Sequence, residues 1–408
     1  MTTSSIERRA LPSLYAEFLP KLGRISIVVH LPSQSTWTTK ALISNDGERL
    51  IVYHERISTE IILPTAAKLR GEHLPGEIPP GLFKMSWRLL AQDSLLTGGL
   101  ASQPALIPEV APWSALVLRP RTDVLCRKCE TVVVSRESLK EWKDLPSENW
   151  AEMMEFWHCH KPVINNDQRN RADSSDNAND LKASESALAS RGYGANTAIF
   201  AQAGIGFVDL TRMLFHKEDC RCNVMFMNNA DIDPNLTLLN TQTHRSISTV
   251  ASCPGCNAQL GVYDTRKDGV SIFKWMLKFA DSPANSLSML RPPTLSHCLA
   301  TALFATQERT GSAKVVLQGD KEAITAWILN PRISFSCNSK QKVSAMKLLW
   351  QNRGREEEEE LILPDSIVKD IRGLLQEGNS YLPPDEKMKQ FNAQDGVWTV
   401  ALLERPEQ

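Results

Sequence analysis

CRKCETVVVSRESLKEWKDLPSENWAEMMEFWHCH, from Cys126 to His160, opens on a C-x-x-C and closes on His158-Cys159-His160. A C-x-x-C knuckle folds the backbone so that two thiolates and neighbouring N–H groups converge on one metal, and two knuckles complete a tetrahedral zinc site. The second pair is Cys253/Cys256, 123 residues beyond Cys129. That gap is far longer than in a compact zinc ribbon. If Cys126, Cys129, Cys253 and Cys256 share one structural zinc, the metal staples two distant parts of the chain. If they do not, one pair is a redox dithiol or a pair of plain buried cysteines, and spacing alone leaves both readings open. A knuckle turn favours a residue tolerant of positive φ after its second cysteine; Asn257 suits that and Glu130 suits it less.

Between these ends, Thr131–Ser135 reads as a strand, and Pro146-Ser147-Glu148-Asn149 as a helix start. Ser147 or Asn149 can cap it, and Glu152 stands three residues past Asn149, as in a capping box. Trp150, Met153, Met154 and Trp157 then fall at i, i+3, i+4 and i+7, one apolar stripe that plain core packing would also explain. The closing triplet cannot easily grip one metal, because adjacent helical residues point about 100° apart. One or two of its members can donate to a metal completed by His216, Cys220 or Cys222, or by a partner protein; otherwise it is a packed cysteine beside two solvated histidines. His216, Cys220 and Cys222 themselves (HKEDCRC) lack a nearby fourth ligand and read better as structural or surface groups than as a second centre.

The 408 residues are enough for two domains, and 46 basic against 47 acidic residues give a net charge of −1. That balance argues against a general nucleic-acid or anionic-membrane binder. The start, MTTSSIERRALPSLY, has no apolar h-region, and no apolar run reaches membrane-spanning length. Nine cysteines without a secretory signal suggest a reducing compartment, so cytosol or nucleus is expected.

The fold expected is α+β. Residues 12–125 read as a β-rich sandwich or open barrel, from the short apolar segments Arg24–Leu31, Thr39–Ile43, Leu50–Tyr53, Thr59–Leu63, Phe83–Leu90 and Ala115–Leu118. Residues 126–162 form the knuckle and capped helix, and the polar stretch 163–198 reads as a disordered linker. Residues 199–408 form an α+β half, joined to the first through the zinc site. In that half, Val270–Phe279, Lys314–Leu317 and Gly396–Leu403 read as strands and Leu295–Gln307 and Pro364–Glu377 as helices. Ala323–Leu329 and Ser344–Gln351 read as helix or strand, and Glu356–Glu360 as a solvated loop. Cys298 lies on an apolar helical face; Cys337, in SFSCNS, is the weak candidate for a nucleophile, with no adjacent group to lower its pKa. Neither Gly192-Tyr193-Gly194 nor Gly204-Ile205-Gly206 continues into a phosphate loop, and hydrolase, zincin and EF-hand patterns are missing.

The block Leu145-Pro146-Ser147-Glu148-Asn149-Trp150, the aromatic stripe after it and the Cys159-His160 close resemble the HECT-like ubiquitin ligases that bind ubiquitin-conjugating enzymes. The first C-x-x-C about 16 residues upstream, the second followed by Leu260-Gly261, and the region from Leu363-Pro364 to Leu403 agree with that family in type and order. Length and inserts look fungal. The resemblance implies ubiquitin-protein ligase activity, a conjugating-enzyme partner, structural zinc on the cysteine pairs and a HECT-like tail. It also implies a link to the metallo-β-lactamase endonuclease of pre-mRNA 3′-end processing, with Pro146, Trp150, Trp157, Cys159 and His160 as partner-binding residues and Cys159, alone or together with His160, supplied to the nuclease's zinc. The alternative that follows is a non-enzymatic inhibitor or chaperone of that nuclease. One departure stands out: a HECT mechanism carries ubiquitin on a cysteine near the C-terminus, whereas the last cysteine here is Cys337, 71 residues from the end.

Overall fold

In the strand Arg24–His30 (RISIVVH), Ile25, Ile27 and Val29 alternate with more exposed residues and are fully buried, the period-two pattern of a strand covered on one face. It pairs with Ser13–Leu19 on one side and Lys84–Leu90 on the other. Ser13–Leu19 then pairs antiparallel with the end of the long strand Ala323–Cys337, Tyr15 facing Cys337 across the ladder. The computed structural model describes residues 10–68, 78–92, 112–145, 200–225, 249–265, 267–280, 291–353, 359–391 and 396–406. The chain divides into two compact units, Met1–Glu109 with Leu295–Gln408, and Val110–Thr294.

The first unit holds a nine-stranded sheet that continues from Ala323–Cys337 through Val343–Gln351 and Trp398–Glu404 to Met388–Lys389. Lys314–Gln318 pairs with the other half of the long strand, and Glu359–Ile362 adds to it in parallel. The sheet curls into a half-barrel: Lys84, opening one edge strand, reaches Glu386, just before the other edge strand, with Nζ 2.8 Å from Oε1. A three-stranded sheet, Lys40–Ile43, Arg49–His54 and Ile57–Ile62, packs Ala41, Leu50, Val52 and Ile61 into the core shared with Ile25, Ile27 and Val29. Two helices occur among the described residues, Leu295–Thr310 and Asp365–Ser380. The second buries Ile367, Val368, Ile371 and Leu375 against the sheet. Its Gly378 sits so close to the Trp398–Glu404 strand that a Cβ there would lie 2.3 Å from the Leu402 carbonyl oxygen.

The second unit has a seven-stranded sheet in the order Asn223–Met225, Thr249–Ser252, Gln259–Asp264, Gly269–Phe273, Arg212–His216, Ile205–Val208, Glu141–Asp144. Only the last pairing is parallel. Gly269–Phe273 is buried at every position, as suits a central strand covered on both faces. After a 3₁₀ turn, Leu277–Phe279 leaves this sheet and pairs with Val124–Cys126, which pairs in turn with Val132–Val134. Trp142 meets Phe215 and Phe279 edge-on, with centroids 5.9 and 5.7 Å away, at the middle of this core.

The molecule is β-rich, and several expectations change. The N-terminal β-rich segment is not a unit by itself: its first strand is zipped to residues 334–337, and the partition at 12–125 and 199–408 gives way to an interrupted unit and an inserted one. All four zinc-type cysteines belong to the inserted unit, so the site does not join an N-terminal to a C-terminal half. Ala115–Val117 forms a turn, closed by Val117 N–H bonding to the Ser114 carbonyl, because Pro112 and Pro120 bracket a segment too short for a ladder. Ala323–Leu329 and Ser344–Gln351 are strands. Glu359 and Glu360 open a strand instead of lying in a loop. The capped helix, the 163–198 linker and residues 354–358 lie outside the described residues.

Candidate metal centre

Cys126 ends the Val124–Cys126 strand, and the chain turns at once and returns as Val132–Val134, three β-branched residues. Cys126 N–H donates to the Thr131 carbonyl at 2.9 Å, and Glu130 N–H donates to the Cys126 carbonyl at 2.9 Å. The second knuckle repeats the pattern at the end of Thr249–Ser252: Cys253 N–H to Ala258 O, 2.9 Å, and Asn257 N–H to Cys253 O, 3.0 Å. Both turns place the residue after the second cysteine in the left-handed region, Glu130 at φ 65° and Asn257 at 55°. The first is held despite its side chain, and the Glu130 carboxylate is tied to Lys278 Nζ at 2.6 Å. Asp123 and Arg136 clamp the base of the first knuckle through Arg136 N–H, Nε and Nη2, at 2.6, 2.8 and 2.5 Å from the carboxylate.

The two hairpins bring the four sulfurs within 4.8 Å of one another. Cys126 Sγ lies 3.8 Å from Cys256 Sγ, and Cys129 Sγ 3.5 Å from Cys253 Sγ. A zinc tetrahedron with zinc–sulfur bonds of about 2.3 Å has sulfur–sulfur edges of about 3.8 Å. The donor set therefore fits zinc in both chemistry and size, and the reading in which the pairs never meet is removed. Cys126 and Cys253 are buried, Cys256 is half-buried and Cys129 is exposed. Burial pushes the Cys126 thiol up to about 12, whereas the Thr131 hydroxyl, 3.3 Å away, helps hold the Cys129 thiol down to about 6. A divalent cation held by the four sulfurs would supply the charge that lets the buried members ionise. Gly255 brings the second knuckle against the first: its N–H lies 3.4 Å from Cys253 Sγ, and a Cβ would stand 2.2 Å from Thr131 Oγ1. Sequence reading missed Thr131, Gly255 and the Asp123–Arg136 clamp; only the position of Thr131, two residues past Cys129, was a local signal.

Among the described residues this is the one group in which three or more metal-type donors converge. Cys220 and Cys222 lie beside it in the same core, their sulfurs 3.1 Å apart. His216 turns elsewhere, its Nε2 3.7 Å from Asp268 Oδ2. Cys337 is the last residue of its strand, 3% exposed, with Sγ 3.4 Å from Ser339 Oγ. The exposed thiol that its polar neighbours suggest is instead packed beneath Tyr15, Phe335 and Tyr381. Pro146, Trp150, Trp157, Cys159 and His160 lie outside the described residues, and the endonuclease contact implied by the resemblance rests on them alone.

The family model for HECT-like ubiquitin-conjugating enzyme (E2)-binding proteins matches residues 17–394, across both units. The chain belongs to that family. Uncharacterized protein YJR141W of Saccharomyces cerevisiae is 24% identical over 403 residues, covering 94% of this chain and 97% of the relative. Uncharacterized protein C1734.10c of Schizosaccharomyces pombe is 21% identical over 318 residues, covering 72% and 76%. Both relatives are fungal, as the length and inserts of this E2-binding family member suggest. No solved structure matches it.

Proposed function

We propose that this chain is a ubiquitin-protein ligase that binds a charged ubiquitin-conjugating enzyme and positions it for transfer to substrates, without carrying ubiquitin itself. The family match over residues 17–394 carries the reading. The second half of the reading is supported by the burial of the two cysteines of the first unit, one of which, Cys337, is the last in the chain. A thioester relay needs an accessible nucleophilic thiol. In the first unit Cys298 is fully buried and Cys337 is 3% exposed. In the second, Cys126, Cys129, Cys253 and Cys256 form the metal-type cluster, Cys220 and Cys222 are half-buried side by side, and Cys159 lies outside the described residues. We assign the HECT-like tail to the segment from Leu363-Pro364 to Leu403, and the protein to cytosol or nucleus.

The test is single-turnover discharge of fluorescent ubiquitin from a panel of charged conjugating enzymes, with the zinc-loaded full chain. The expected outcome is faster discharge onto lysine with at least one enzyme, no reductant-labile ubiquitin adduct on this chain, and the same rate for Cys337→Ser. A labile adduct that disappears in Cys337→Ser replaces positioning with covalent relay. Absence of binding to every conjugating enzyme in the panel removes the ligase reading altogether.

A further inference from the structure

Among the described residues of the inserted unit, the C-x-C at Cys220 and Cys222 is a thiol pair that neither the metal centre nor the ligase reading uses. We propose that Cys220 and Cys222 form a reversible dithiol–disulfide site, oxidised by a low-molecular-weight disulfide such as glutathione disulfide. The distance between the sulfurs decides between the chemistries open to them. At 3.1 Å they are closer than either sulfur–sulfur contact between the knuckles, 3.5 and 3.8 Å. They are also closer than the edge of about 3.8 Å that a zinc tetrahedron needs. Only about 1 Å separates them from the bond length of about 2.05 Å in a disulfide. No third donor converges on them among the described residues.

The backbone holds the pair in this relation. Residues 216–220 form a turn in which Asp219 N–H bonds to the His216 carbonyl. Cys220 then bridges Val134, and Arg221 N–H donates to the Val133 carbonyl at 2.8 Å. Immediately after Cys222, Asn223 enters the ladder opposite Ser252. The segment is thus anchored on the strand that leaves the first knuckle and on the strand that enters the second. One residue separates the two thiols, so the second step of oxidation is intramolecular and strongly favoured by proximity. The small ring that closes is a tight one, and tight or accessible disulfides are the labile, reversible kind. Both cysteines are half-buried, which leaves a small disulfide an approach.

The reaction balances without another partner. One thiolate of the pair attacks a sulfur of glutathione disulfide; that S–S bond breaks, one glutathione leaves, and a mixed disulfide forms. The other cysteine attacks the protein-side sulfur of the mixed disulfide and displaces the second glutathione. The two thiol protons end on the two glutathiones, and two electrons pass from the protein pair to the oxidant. Excess reduced glutathione runs the steps backwards.

The experiment uses the zinc-loaded full chain, equilibrated across ratios of reduced to oxidised glutathione, quenched with an alkylating reagent and mapped by peptide mass spectrometry. Zinc is followed in parallel with a chromophoric chelator. The expected result is that Cys220 and Cys222 lose the label together, in one peptide lighter by two hydrogens, while zinc stays bound. Cys222→Ser is expected to stop at a glutathione adduct on Cys220. Two results overturn the proposal: both cysteines alkylated at every ratio, or zinc released with Cys220 and Cys222 still unlinked. The wild-type map decides the matter even where the serine variant does not fold.

Discussion

Gly255 shows how one residue fixes the distance between two distant hairpins. A methyl group there would stand 2.2 Å from Thr131 Oγ1, 3.1 Å from Thr131 Cβ and 3.4 Å from Cys129 Sγ. Gly255→Ala must therefore push Thr131 aside, taking with it the hydroxyl that stabilises the Cys129 thiolate. The expected loss is about 1–3 kcal/mol, the usual scale of overpacking, together with weaker zinc binding. Denaturant unfolding and zinc competition with a chromophoric chelator measure the two. Adding Thr131→Ala to Gly255→Ala is expected to recover part of the loss, since the clash is between these two side chains. At this scale the sequence reveals what is local. Cys126, Cys129, Cys253 and Cys256 declare themselves by spacing, and Asn257 by its tolerance of positive φ. The contact of Gly255 with Thr131 spans 124 positions, and the burial of Cys337 under Tyr15 is created by a ladder to the other end of the chain. Neither leaves a trace in neighbouring residues.

Among the elements, the strand Ala323–Cys337 extends well past Ala323–Leu329, the segment the sequence marks out. Its alternation is broken at Asn330-Pro331, where register shifts between Ile328 and Asn330 and between Asn330 and Ile333 absorb a proline that cannot donate to the ladder. From the sequence, Ala323–Leu329 and Ser344–Gln351 read as helix or strand alike, whereas Asp365–Ser380, with its apolar residues at helical spacing behind Pro364, is not ambiguous. The closure of the curled sheet was equally invisible, because it depends on Lys84 meeting Glu386, 302 positions away. Burial alone pushes the Glu386 carboxyl up, but hydrogen bonds from Lys389 and Lys84 outweigh it and hold the group below the usual carboxylate range. A carboxyl whose pKa falls on folding contributes stability above its unfolded pKa of about 4.3, and the contribution is lost as pH falls through the folded value. Glu386→Gln is thus expected to destabilise the first unit by about 1 kcal/mol at pH 7. The difference from wild type should shrink toward zero as the medium is acidified below about pH 4. Urea midpoints for both proteins from pH 7 to pH 3 check the convergence; a gap independent of pH would assign the effect to packing.

For the whole molecule, the decisive feature is that the metal centre is interior to one unit and absent from the other. Cys126 and Cys253 sit in the same core as Trp142, Phe215 and Phe279, so the zinc-type cluster is part of the packing that holds Val110–Thr294 together. The first unit has cores of its own, one around Ile25, Ile27 and Leu50 and one around Phe335, Leu349 and Trp398. A structural zinc contributes roughly 10–16 kcal/mol in small zinc-folded peptides, as much as the entire stability of a typical domain, about 5–15 kcal/mol. Removing the metal should therefore unfold the inserted unit and spare the interrupted one. Hydrogen exchange after chelation is expected to show lost protection in the strands 124–126, 249–252 and 259–264, with protection retained in 24–30, 343–351 and 398–404. Metal analysis should give one zinc per chain, lost alike in Cys129→Ser and Cys256→Ser, because each knuckle supplies half of one tetrahedron. Zinc retained by either variant would mean that the pairs do not share a metal. Equal loss of protection in both units would mean that the chain folds as one cooperative body, despite the two cores.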